Sequence, residues 1–386
     1  MAHPAIAPRL SAATRGRRLP AAVVDLDAFD RNASTLVGLG HGKPIRVATK
    51  SLRVRTLVER VLERPGFRGL MCYSLEEALT WARAGHRDVL VAYPTVDVPA
   101  LHQLGEDPAL VAAVTVMVDS AEHVDFLARH LPRSTGLRVA IDVDASLRVG
   151  PAHLGVRRSP TRTPEEVAAV IRRARSHGME VVGLMVYDAQ IAGVPDTAVT
   201  RPMKARSHRE LTTRRREIVE SARQLADLQF VNGGGTGSLE RTGADESLTE
   251  VAAGSGLFAP TLFDHYDRLP LEPAAVFALP VVRRPAPDVV TVFSGGYIAS
   301  GPPGWGRVPS PLPEQDLRLL RPEGAGEVQT PLRGPGARRL HLGAPVWFRH
   351  AKAGELAERF NEVLLVSRGE VVATTPTYRG EGLSLG

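Results

Sequence analysis

VNGGGTGS, residues Val231–Ser238, carries a short apolar run, Gln229–Asn232, over into a chain of glycines. AAGSG, Ala252–Gly256, does the same for the next apolar run, Thr249–Ala253. Gly-rich turns at the ends of two successive strand-like segments point to an α/β fold whose strand ends line a binding face. The same unit recurs toward the N-terminus. Runs rich in Val, Ile and Leu stand at Ile45–Ala48, Gly69–Tyr73, Asp88–Ala92, Val114–Val118, Leu137–Val143 and Val181–Tyr187. Strands buried on both faces read this way. Between them Val54–Arg64, Leu75–Ala84, Ser120–Leu131, Pro164–His177 and Arg201–Leu228 keep apolar residues three and four apart, the spacing of a helix face. Pro164 followed by Glu165 and Glu166 suits a helix start, since proline fits the first turn and acids complement the dipole.

Eight strand–helix units over about 230 residues match a (β/α)8 TIM-type barrel; an open doubly wound sheet is the competing arrangement. After Leu271 the helical spacing stops. Glycine and proline crowd Ser294–Pro313, and short β-type runs follow at Val289–Phe293, Ala344–Arg349, Val363–Ser367 and Val371–Thr375. The expected organisation is a basic flexible tail over residues 1–20, a barrel over 21–270 and an all-β domain over 271–386. The strand-like Ala21–Leu26 is free to pair with that last domain.

At 386 residues and 43% hydrophobic content, the chain can bury a large core without staples. Its single cysteine, Cys72, rules out an internal disulfide and fits a reducing, cytoplasmic setting. No apolar run approaches the length of a membrane span, and the first twenty residues hold no signal-type apolar stretch. A net charge of +6 raises nucleic acid as a partner. The densest basic stretch, Arg201–Arg216, has no interleaved aromatics, so it reads as a solvated helix face and nucleic acid is not expected. Only four of the 48 basic residues are lysines: Lys43, Lys50, Lys204 and Lys352.

Lys50 ends the first barrel strand in IRVATKS, Ile45–Ser51. Strand C-termini point into a barrel's active-site mouth. A lysine amine there can form a Schiff base, which arginine, never deprotonated, cannot. The turns after strands seven and eight offer backbone N–H groups to a phosphate. An amine on one side and a phosphate cup on the other describe a pyridoxal phosphate site.

The chain resembles the alanine racemase-like, fold-type III pyridoxal phosphate enzymes, and within them the D-threonine aldolase and D-serine dehydratase group. The likeness rests on the strand around Lys50, GLMVYDAQ at Gly183–Gln190, NGGGTG at Asn232–Gly237, TEVAAGS at Thr249–Ser255, and His350. It implies that Lys50 holds the cofactor and that Thr236, Gly237, Gly254 and Ser255 bind its phosphate. Tyr187 would face it. Arg148, in IDVDASLRVG, would lie near its phenolic oxygen, with Asp142 and Asp144 either orienting that arginine or capping a turn.

One departure stands out. Metal-dependent members of the group carry His-x-Cys or His-x-Asp in the β-domain. Here the stretch is FRHAKAGE, Phe348–Glu355, with Lys352 where the second ligand belongs. An ammonium repels a cation, Cys72 lies elsewhere and Glu355 has the wrong spacing, so no divalent metal is expected. Lys352 either supplies the missing charge or pairs with Glu355. The implied activity is a lyase, aldolase or dehydratase, acting on small, D-configured 3-hydroxy amino acids through an external aldimine. His350 is the acid or base at the hydroxyl. The alternative is an amino-acid racemase, with Tyr297 in SGGYIASGP as its second base. The resemblance also implies a homodimer.

Overall fold

The computed structural model describes residues 5–131 and 136–385. Eight parallel strands close into a barrel. In chain order they are Ile45–Ala48, Phe67–Cys72, Val89–Val91, Val114–Val118, Arg138–Asp142, Glu180–Val186, Phe230–Gly233 and Glu250–Ala253. Closure comes from the last strand pairing with the first, Val251 opposite Ile45. Each strand coincides with an expected run to within two residues.

Alternation along the first strand sorts its side chains. Ile45 and Val47 face the surrounding helices, while Ala48 joins Met71, Leu90, Met117, Met185 and Phe230 inside the barrel. Gly183 leaves room for that filling, since a Cβ there would lie 2.3 Å from the Phe230 ring. Arg46 also points inward, at the closed end. It donates to Glu250 at 2.6 and 2.9 Å and to Asp88 at 2.6 Å, and lies 5.1 Å from the Phe230 ring centre. A guanidinium that deeply buried must have its charge and donors matched. The same two-residue step that buries Arg46 and Ala48 brings Lys50 to the open end.

The C-terminal third forms a nine-stranded sheet. Ala21–Asp25 lies within it, antiparallel to Ala275–Ala286 and parallel to Glu362–Ser367. The chain therefore starts in the sheet, makes the barrel, and returns. Tyr378 ties the last segment to the barrel: its hydroxyl donates to Glu77 at 2.8 Å and accepts from Trp81 Nε1 at 2.9 Å.

Two expectations need correction. Within the first twenty residues, Ile6–Ala13 is a helix and not a loose tail; residues 1–4 lie outside the described residues. Ala7 and Leu10 pack on Val23, Val276 and Trp347, and Ser11 Oγ accepts from the Trp347 indole at 2.8 Å. Two apolar side chains and a hydroxyl docked on the sheet outweigh the segment's basic charge. The basic stretch Arg201–Arg216 lies in the helix Thr200–Arg223, but its charges are not simply solvated. Lys204 and Arg215 are buried, Lys204 is paired with Asp196 at 2.7 Å, and Arg201 pairs with Asp267 at 2.7 Å.

Candidate active site

An open cleft occupies the C-terminal mouth of the barrel. Lys50 lines it from the short 3₁₀ turn Thr49–Ser51 that follows the first strand. Lys50 Nζ donates to Tyr93 Oη at 2.5 Å. Burial pushes the Tyr93 phenol up, but the Lys50 charge and hydrogen bond together with the Arg158 guanidinium more than offset it, and the net shift is downward. Arg158 stacks over both Tyr93 and Tyr187, 5.6 Å from each ring centre. Burial pushes the Tyr187 phenol up to about 12, so Tyr187 stays neutral and serves as a wall.

The wall formed by Gly234–Gly237 and Gly254–Ser255 is backbone and two hydroxyls. Glycine is required at its closest approaches. A Cβ on Gly237 would lie 2.1 Å from the Ala192 carbonyl oxygen, and one on Gly254 2.5 Å from that of Ala48. The two turns are fastened together: Ser255 Oγ and the Gly256 N–H reach Thr236 Oγ1 at 3.2 and 3.1 Å. Asp188, fully buried with its carboxyl raised to about 6 by burial, accepts from Ser238 Oγ at 2.9 Å and holds the first turn from behind.

A bare backbone wall with two hydroxyls suits a phosphate, and an amine across the same cleft suits an aldehyde. The residues present therefore fit pyridoxal phosphate.

The expected residues Lys50, Tyr187, Thr236, Gly237, Gly254 and Ser255 all line this one cleft. Arg148 does not. It sits on the hairpin strand Leu147–Val149, exposed, and pairs with Asp144 at 2.7 Å. Asp144 thus both binds Arg148 and caps the turn, accepting from the Ser146 N–H at 2.9 Å. Arg158 occupies the cleft instead. It and Tyr93 are the residues that the sequence reading missed. Tyr93 ends a barrel strand as Lys50 does, so the strand-end rule carried its signal. Arg158 lies beyond an excursion after the fifth strand, where no periodicity marks it. Asp142, beside Arg158, has its carboxyl raised to about 7 by burial, partly opposed by that guanidinium.

The loop after the sheet strand Pro345–Arg349 folds down onto the mouth. Thr261 and Leu262 donate their N–H groups to the His350 and Ala351 carbonyls at 3.1 and 3.2 Å. Gly354, at φ +81°, presses on Lys50: a Cβ there would lie 1.9 Å from the Lys50 carbonyl oxygen. His350 is buried and lines a smaller, mainly apolar cavity next to the cleft, as does Lys352. Its Nδ1 lies 2.5 Å from the Lys352 carbonyl oxygen and 3.2 Å from the Lys352 amide nitrogen, and the Tyr297 backbone also bonds the ring. Burial holds the imidazole below its ordinary value. Tyr297 is turned away from the cleft: its ring packs against Phe277 and Phe360, and its hydroxyl accepts from Ser294 Oγ at 2.9 Å. Cys72 is the buried last residue of the second strand, with burial pushing its thiol up. No cluster of three His, Cys, Asp or Glu side chains able to hold a metal occurs among the described residues. No helix among them is long and apolar enough to cross a membrane.

A family model described as alanine racemase, N-terminal domain, matches residues 24–261. D-threonine aldolase of Arthrobacter sp is 27% identical over 282 residues, 72% of this chain and 71% of that protein. 3-hydroxy-D-aspartate aldolase of Paracoccus denitrificans is 26% identical over 246 residues, 62% of this chain and 60% of that protein. Among solved structures, D-threonine aldolase from Filomicrobium marinum matches with a TM-score of 0.78 at 22% identity, covering 94% of this chain and 96% of that one. D-threo-3-hydroxyaspartate dehydratase from Delftia sp. HT23 matches with a TM-score of 0.71 at 19% identity, covering 94% and 98%. At such identities these two likenesses are of fold.

Proposed function

Because the chain belongs to the alanine racemase N-terminal domain family, whose fold-type III members use pyridoxal phosphate, we propose that it is a pyridoxal phosphate-dependent lyase acting on small, D-configured 3-hydroxy amino acids. The observation that carries the proposal is the shared cleft, with Lys50 Nζ on one side and the Thr236–Gly237 and Gly254–Ser255 turns on the other. The activities of the curated relatives point to the substrate class.

In this reading Lys50 would hold the cofactor's aldehyde, and Thr236, Gly237, Gly254 and Ser255 would hold its phosphate. Tyr187 would wall the ring, and Arg158 would take the part expected of Arg148. When bound, the cofactor's conjugated ring accepts the electron pair freed at the substrate's α-carbon. Lys50 Nζ donates to Tyr93 Oη, which would hold the amine in place to take or return a proton at the α-carbon. Arg158, spanning two tyrosine rings, adds fixed positive charge where a substrate carboxylate or a phenolate needs it. The sheet loop over Lys50 limits the entry of water.

A racemase needs a second base facing the cleft, and the packing of Tyr297 offers it no support. A homodimer belongs to the proposal. Phe293, Ile298 and Trp305 are 43%, 47% and 50% exposed in and beside the Gly/Pro-rich segment, apolar side chains that a second copy could cover. Light scattering should give twice the chain mass; a fully active monomer refutes pairing. A reducing, cytoplasmic setting suits the lone buried thiol.

The experiment is incubation of the cofactor-loaded protein with a panel of D- and L-3-hydroxy amino acids. Glycine plus an aldehyde identifies an aldolase, and a 2-oxo acid plus ammonia a dehydratase. An enantiomer alone identifies a racemase and overturns the proposal.

A further inference from the structure

Three side chains from two separate segments form a hydrogen-bonded chain in and beside the loop that packs on Lys50. Glu355 accepts from the Ser300 N–H at 2.8 Å and from the Ser300 hydroxyl. Ser300 Oγ in turn accepts from Lys352 Nζ at 3.0 Å. Ser300 therefore has its donors committed to the carboxylate and one lone pair aimed at the ammonium. The main chain of Lys352 is fixed as well, by the His350 bond to its carbonyl and by Gly354 seated on Lys50. A long, flexible side chain is restrained at both ends, which costs rotamer entropy and needs a compensating role. A surface lysine paired loosely with Glu355 would need none of this, and the two charges meet through Ser300.

His350 is poorly placed for the role first given to it. It is 5% exposed, and its ring is bound to main chain at Lys352 and Tyr297. Lys352 is only partly buried, it lines the smaller cavity beside the cleft, and Gly354 on the same loop is seated on Lys50. We propose that Lys352, positioned by Ser300, Glu355 and His350, exchanges the proton of the substrate's 3-hydroxyl, and that no divalent cation is required there. The inference rests on the lyase reading.

The direction of the proton differs between the two reactions. In cleavage, the hydroxyl proton moves to Nζ and the O–H pair becomes the aldehyde C=O. The Cα–Cβ pair stays with the α-carbon, which gains a proton and leaves as glycine. In elimination, the Cβ–O pair leaves with the hydroxyl, which takes a proton from Nζ and departs as water, while the α-proton goes to Lys50. The charged neighbours agree with a group that titrates. Burial, Arg307 and Lys50 lower the Lys352 ammonium below its ordinary value, and Glu355 opposes them. Glu355 itself is held low, its burial outweighed by the two Ser300 bonds and by the Lys352 and His350 charges.

The test uses the loaded enzyme with D-threonine and D-3-hydroxyaspartate, and zinc and manganese as metal probes. Wild-type protein should carry less than about a tenth of a metal ion per chain by mass spectrometry and keep its turnover in chelator. Lys352→Met should keep the cofactor's absorbance while kcat falls about 100-fold or more and KM changes little, as loss of a general acid or base requires. Lys352→Arg should also fail, since a guanidinium does not release its proton. Lys352→Cys treated with bromoethylamine regenerates an amine and should recover at least tenfold; the native Cys72 is buried. Stoichiometric wild-type metal whose removal abolishes turnover overturns the inference, and so does Lys352→Met within threefold of wild type. Absence of turnover on every hydroxy amino acid removes the lyase reading and this inference together. Turnover that chelator abolishes removes this inference alone.

Discussion

Gly237→Ala tests the phosphate wall without touching a titratable group. The added Cβ would lie 2.1 Å from the Ala192 carbonyl oxygen and 2.6 Å from Cε1 of Tyr266. Neither neighbour can swing aside freely. The first is main chain, and Tyr266 is tied to the same carbonyl, its hydroxyl donating at 3.0 Å. Ordinary contact between such atoms lies beyond about 3.3 Å, so the turn must move by roughly 1 Å. Overpacking of this kind costs about 1–3 kcal/mol, and rigid neighbours place this case near the upper end. If the strain is relieved by opening the cup, roughly 3 kcal/mol of cofactor affinity is lost, close to 100-fold, since 1.4 kcal/mol is tenfold. The assay is a fluorescence titration of cofactor-free protein with pyridoxal phosphate, read beside a thermal melt. Gly38→Ala is the control. Its Cβ meets nothing within 4 Å in the helix Leu26–Leu39 and should be neutral or slightly stabilising. A Gly237→Ala protein with wild-type affinity and melting temperature refutes the placement of the phosphate.

Arg158→Met should lower kcat/KM by at least tenfold while Arg148→Met leaves it within about twofold; paired steady-state kinetics decide, and the reverse order restores Arg148 to the site. Asp142 has a carboxyl raised from 3.8 to about 7 in the folded protein, mainly by burial. Its contribution to stability is fully present below pH 4 and is lost as pH rises through about 7. Asp142→Asn does not titrate, so its melting temperature relative to wild type should rise between pH 5 and pH 8. A difference that stays flat or falls means that the folded carboxyl is already ionised at pH 5.

The barrel was legible because its signal is local and repeated. Each strand is a short apolar run, and each Gly-rich turn must be glycine for a contact that the sequence already declares at Gly237 and Gly254. Lys50 was legible by the same logic, as the residue two steps beyond Ala48 on a strand whose alternate side chains face inward. What escaped depends on distant pairing. Leu10 docks on a sheet made largely after residue 270, so nothing near residue 10 announces it. Arg148 and Arg158 lie in one stretch, and only the hairpin Leu147–Leu154 decides which of them reaches the cleft. The role of Lys352 depends on Ser300, 52 residues away, and on a loop that folds back over the mouth.

The most direct measurement is borohydride reduction of the cofactor-loaded protein, followed by peptide mass spectrometry. With lysine at only 43, 50, 204 and 352, the assignment is simple. Lys204 is buried against Asp196, and Lys43 donates to the Gly243 carbonyl at 2.7 Å. One phosphopyridoxyl group should appear on the peptide containing Lys50, and none on the protein carrying Lys50→Ala, which should still fold. Absence of any reduced adduct after saturation with pyridoxal phosphate, or an adduct on Lys43, Lys204 or Lys352 in its place, would contradict the account.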